Sequence, residues 1–106
     1  MNTRLWNRAR RRALGISQGK LGKKIDTWAT MVCQYEKGSP SFERYETDIT
    51  MALDEIQNAY CEDSPYEEKM LMLKTWVLYR DELRRNKMLD KKEEKSILAG
   101  IRRWGK

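Results

Sequence analysis

The chain has 106 residues and a net charge of +6, from 22 Lys and Arg against 16 Asp and Glu, with 36% charged and 40% hydrophobic residues. It contains no His, so the commonest general base, metal ligand and pH switch is missing. Its two cysteines, Cys33 and Cys61, form no CxxC pair, which argues against a disulfide scaffold and the standard zinc modules. The longest apolar run, Met70 to Leu73, is far too short for a bilayer span, and the first fourteen residues hold five Arg and no apolar stretch of the secretory kind. A cytoplasmic, non-enzymatic binding protein without a cofactor is expected.

Helical signals dominate, and no alternating strand pattern of useful length occurs. Thr3 can cap a first helix running to about Leu14, with Gly15 past its end. Ser17 can cap a short second helix to about Ile25. A turn at Asp26–Thr27 leads to a third helix, from about Trp28 to Lys37, that stops at Gly38. Pro40 and Ser41 open a fourth, whose apolar positions Phe42, Tyr45, Ile49, Leu53 and Ile56 follow helical spacing. Residues 61–65 read as a linker. Ser64 with Glu67 forms a capping box with Pro65 at the first helical position, so a fifth helix runs to about Arg85. Asp90 with Glu93 starts a sixth that ends near Trp104.

Charge is segregated along these elements. Residues 1–38 hold nine Lys/Arg against two Asp/Glu, residues 39–65 one against seven, and residues 66–106 twelve against seven. The basic first segment fits a polyanion binder; equally, Arg8, Arg10, Arg11 and Arg12 fit one solvated helix face.

The second and third helices are too short to be stable alone, so they must brace each other across their turn. Short helix, tight turn and short helix in a small basic domain is the helix-turn-helix pattern. Residues 16–38, from Ile16-Ser17-Gln18 through Leu21, Ile25 and Val32 to Gln34-Tyr35-Glu36-Lys37-Gly38, resemble the phage repressor and Cro (Xre-type) family without a gap, and the resemblance extends over about residues 4–58. It implies an all-α, five-helix-type, lambda-repressor-like helix-turn-helix domain at 1–60. After the linker at 61–65, residues 66–106 are expected to form a two-helix dimerisation arm, and residues 1–63 to fold alone. The implied function is sequence-specific binding of double-stranded DNA by a transcriptional regulator, a homodimeric repressor on a palindromic operator. The alternative is a helix-turn-helix protein-interaction module, an antirepressor or a phage-type inhibitor of a host protein or ribonucleoprotein.

The resemblance assigns DNA contact to Gln18, Lys20, Thr27, Trp28, Ala29, Thr30, Gln34 and Lys37. Gln18 matches the family glutamine that meets a phosphate and steadies the recognition helix, and Arg11 the arginine that pairs with Glu36, with Arg10 as the other candidate. Gln can read adenine in a bidentate pair, and Ala or the Thr methyl can meet a thymine methyl. The chain departs from the family pattern at Asn7, usually apolar, at Gly22, usually Ala, at Asp26, usually Gly, and at Trp28, usually a small capping residue. The cap then falls to Asp26 or Thr27. Met31, Val32 and Tyr35 read as core, Cys33 as a tight structural site and Cys61 as an idle thiol in the linker.

The fifth helix is apolar on two sides. Tyr66, Met70, Leu73 and Val77 form one face, and Met72, Trp76, Tyr79 and Leu83 the other. A small chain has too little of itself to cover both. The second face is taken as the subunit contact, completed by Ile101 and Trp104 of the sixth helix.

Overall fold

Three of the helices start where a Ser or Asp side chain satisfies an otherwise orphaned amide. In the computed structural model, which describes residues 1–105, α1 spans Thr3–Ala13, α2 Gln18–Lys24, α3 Ala29–Lys37, α4 Glu46–Cys61, α5 Pro65–Arg85 and α6 Lys91–Trp104, with a 3-10 segment at Pro40–Tyr45. Ser17 accepts from the Lys20 amide, Ser64 from Glu67 and Asp90 from Glu93. α1 is capped one residue earlier than expected, by Asn2, whose side chain accepts from the Leu5 amide. Gly15 and Gly38 end α1 and α3 with positive φ, and Asp26 takes the left-handed turn at φ 59°. The fourth helix opens as the 3-10 segment because Pro40 starts the turn and Phe42 closes it onto the Ser39 carbonyl. The chain is all-α, with no strand among the described residues.

Two cores form. The first gathers Ala13 and Leu14 with Leu21, Val32, Tyr35, Ile49, Leu53 and Leu71, and Phe42, Tyr45 and Ile56 pack on its edge. Val32 and Tyr35 are buried as expected, while Met31 is half-buried. Cys61 also lies in this core, in the last residue of α4. It is therefore not an exposed linker thiol, and burial pushes its pKa up, with Glu68 and Glu67 adding to the shift.

The second core joins Leu5 and Ala9 of α1 to Tyr79 and Leu83 of α5 and Ile97 of α6. It corrects the expected subunit contact. Tyr79 and Leu83 are fully buried inside the chain itself. Trp76 stands edge-on to Trp6, with ring centroids 4.7 Å apart, and meets α6 at Gly100. Ile101 packs on the same core, Met72 accepts a long contact from the Gln57 amide on α4, and Trp104 is half-buried under Arg103. The physical reason is α1, which carries apolar residues on two sides and so covers this face of α5 from within the same chain. The face left open is the other one: Tyr66, Met70 and Val77 are exposed, next to exposed Tyr60.

Polar groups tie α1 to both cores. Asn7, the departure from the family pattern, is buried and donates to the Tyr35 hydroxyl and to Thr50 Oγ1. The Tyr79 hydroxyl accepts from the Asn2 amide and donates to Glu93, linking α1 to α6. No helix among the described residues is long and apolar enough to cross a membrane.

Candidate nucleic-acid interface

Residues 25–28 join α2 to α3 in a tight turn because Gly22 lets the backbones approach. A Cβ there would lie 3.0–3.1 Å from backbone atoms of Thr27 and Trp28. The Thr27 amide donates back to the Gly22 carbonyl at 2.8 Å. Trp28 is the residue preceding α3, and no side chain caps that helix, so neither Asp26 nor Thr27 takes over the role.

Glu36 anchors α3 from behind. Arg11 grips its carboxylate through Nε at 2.6 Å and Nη2 at 3.0 Å, and Gln18 Nε2 donates to it at 2.8 Å. Arg8 Nε stands 3.5 Å away, and Arg4 donates to the Glu36 backbone carbonyl. Arg10 turns elsewhere, to Asp54 and the Thr50 carbonyl. Gln18 thus joins the start of α2 directly to α3.

The arginines of α1 consequently form neither a polyanion patch nor a solvated face. Arg8 and Arg12 converge on Glu82 of α5, at 2.6 and 2.8 Å, and Arg85 joins them at 2.7 Å. Glu82 is 0% exposed. Nothing in the sequence singled it out, because its three partners come from two helices far apart in the chain.

What remains outward is the front edge of α3. Trp28 is 75% exposed, and Ala29 and Thr30 are exposed beside it. The start of α2 lies alongside, since a Cβ on Gly19 would sit 3.8 Å from that of Ala29. Lys20, Lys23 and Lys37 are exposed and outside every ion pair among the described residues, whereas Lys24 pairs with Glu55 at 3.0 Å. Beyond half-buried Thr27, Arg44 stacks over the Tyr45 ring at 5.0 Å. Its hydrogen bond to the hydroxyl, reinforced by Thr27, lowers the Tyr45 pKa. Sequence reasoning passed over Arg44; its place after Phe42 and before Tyr45 was the available signal.

Gln34 is half-buried, and its Oε1 accepts from Ser39 Oγ at 2.9 Å. A bidentate reading of adenine uses that oxygen and the amide nitrogen; the Ser39 bond takes one of the oxygen's two lone pairs and fixes the direction of the other. Cys33 is half-buried on α3 near Gln18 and Lys37. Trp28, Ala29, Thr30 and Lys20 therefore share one surface with Thr27 at its edge, while Gln34 and Lys37 lie further along α3 and Gln18, at the start of α2, is turned to Glu36.

Comparison of the chain with protein families, with curated proteins and with solved structures returns no match.

Proposed function

We propose that this protein is a sequence-specific, double-stranded-DNA-binding transcriptional regulator of helix-turn-helix type, acting as a homodimeric repressor on a palindromic operator. The observation that carries this reading is the front edge of α3. Trp28, just before α3, and Ala29 and Thr30 in its first turn face outward from a short helix that is clamped from behind by Arg11 and Gln18, with unpaired Lys20 and Lys23 on neighbouring α2 and unpaired Lys37 at its far end. An exposed helix start whose Ala and Thr methyls can meet thymine methyls, with cations beside it to meet phosphates, suits entry into a major groove. Lysines and Arg44 would meet phosphates, fixing register, and α3 would read base edges.

A second reading, a protein-interaction module of antirepressor or inhibitor type, is favoured by Trp28 itself. An exposed tryptophan is a common anchor of protein interfaces. Selection from random duplexes with the purified protein, followed by titration of the selected and a scrambled site over a range of salt, separates the two. A regulator selects one motif and prefers it by about 10³-fold or more, with affinity falling as salt rises. Failure to enrich any motif would overturn the DNA reading.

A further inference from the structure

We propose that the Tyr66–Met70–Val77 face of α5 is a homodimer interface, paired antiparallel with the same face of a second copy about a two-fold axis near Met70 and Leu73. The proposal deepens the dimeric part of the reading above and does not depend on DNA binding.

The stripe of Tyr66, Met70, Leu73 and Val77 has alternating spacings of four and three residues, the pattern of a narrow helix-to-helix seam. α5 is the longest helix, 21 residues or about 31 Å. Its opposite side is consumed by α1 and α6, as described above. Tyr66 is 66% exposed and Val77 40%, and Met70 and Tyr60 are exposed with them. A groove of about 430 Å³ runs along this side, lined in part by Ala13, Tyr60, Leu73 and Leu78. In the antiparallel register that sets Met70 against Leu73 of the copy, Tyr66 falls opposite Val77, so each Tyr66 ring enters the other chain's groove.

Charge selects a second copy as the occupant. The stripe begins at an acid-rich end, with Glu62, Asp63 and Glu67, and continues into Arg80 and Arg84. A parallel pairing would set like ends together. An antiparallel pairing sets the acidic end of each chain on the basic end of the other. Within the same register, Glu67 and Lys74 share one flank of the seam, and each lies across from the other residue in the copy. Every such pair occurs twice, as an isologous interface demands.

The test is sedimentation of the full chain at micromolar concentration without DNA. The wild type is expected to be a dimer, and Val77→Glu a monomer that keeps its helical circular dichroism and a cooperative thermal melt, with a lower midpoint that no longer depends on protein concentration. Glu67→Lys alone and Lys74→Glu alone should each weaken self-association about tenfold. The double variant should regain it, and so should an equimolar mixture of the two single variants. A monomeric wild type, a dimeric Val77→Glu, or a double variant as weak as the singles would overturn the proposal. The two readings fail separately: a dimer of this kind that ignores duplex DNA removes the proposed function alone, and a monomer that selects an operator removes this interface alone.

Discussion

Arg11 and Glu36 form a two-point ion pair, with Nε on one carboxylate oxygen at 2.6 Å and Nη2 on the other at 3.0 Å, both side chains being almost wholly buried. The pair couples α1 to the helix proposed to read DNA. Removing either partner strands the other in a desolvated site and should cost about 3–5 kcal/mol. Thermal or urea melts of Arg11→Ala, Glu36→Ala and the double variant form a cycle. The double variant is expected to lose much less than the two single losses combined; simple additivity would show that the pair is not coupled.

Glu82 holds three arginines at once, from α1 and from its own helix. Glu82→Gln keeps the shape and removes the charge. It should lower stability by a further 3–5 kcal/mol or so, since Arg8, Arg12 and Arg85 then face no carboxylate there. The same bonds bear on residues 1–63 as an isolated unit. Cutting the chain at residue 63 uncovers Leu5 and Ala9 and takes Glu82 from Arg8 and Arg12. A melt of Glu82→Gln as stable as the wild type would mean that this network adds nothing.

Local chemistry was legible in the sequence, and the choice of partners was not. Ser17, Ser64 and Asp90 cap where their spacing from Lys20, Glu67 and Glu93 says they should, because a cap needs only neighbours in sequence. Arg11 with Glu36 followed from the resemblance. The faces of α5 could not be told apart, since both are apolar and the outcome depends on which one α1 reaches. Asn7 looked like a flaw in an apolar register, yet it is paid for by the hydroxyls of Tyr35 and Thr50, which lie 28 and 43 positions away. For the candidate site, the positions on α3 were legible, but the Ser39 bond that occupies Gln34 was not, because it depends on how the chain leaves Gly38.

Gly100 on α6 faces the Trp76 ring so closely that an added Cβ would fall within 2.3–2.7 Å of its atoms. Trp76 is itself confined by Trp6 and Tyr79, with centroids at 4.7 and 6.1 Å, so it has little room to retreat. Gly100→Ala improves helix propensity but overpacks this contact, and a net loss of about 1–3 kcal/mol is expected. Denaturant melts decide it: a gain in stability would show that α6 shifts freely on α5.

Stability should fall in alkali. Burial is the main cause that raises the pKa of both Tyr35 and Tyr79 above the ordinary value for tyrosine. A raised phenol is held neutral in the folded chain, while the unfolded chain ionises first. Their contribution is therefore complete below about pH 10 and is lost as the pH climbs beyond it. Tyr45 shifts the opposite way but is more exposed, so it offsets little. Urea midpoints on both sides of about pH 10 should drop for the wild type and drop less steeply for Tyr79→Phe. Equal slopes for the two would remove Tyr79 from this account.

Thr30 and Gln34 lie one turn apart on α3, with Lys37 at its last residue. Thr30→Ala and Gln34→Ala should each cost roughly 1–3 kcal/mol on the selected operator and relax one base position, because they would contact base edges. Lys37→Ala should instead weaken all duplexes about equally and flatten the salt slope by about one, because a lysine at the rim would meet phosphate alone. Ser39 separates a reading Gln34 from a structural one. Its hydroxyl holds Gln34 Oε1 in the free protein and leaves that oxygen a second lone pair, so Ser39→Ala removes an orienting bond without touching the groups that would read a base. If Gln34 reads adenine, Ser39→Ala still selects the same sequence as the wild type, while Gln34→Ala alone relaxes one base position. If Gln34 only braces the turn after α3, Ser39→Ala and Gln34→Ala lose affinity together, on every duplex alike, and the assignment of Gln34 as a reader falls.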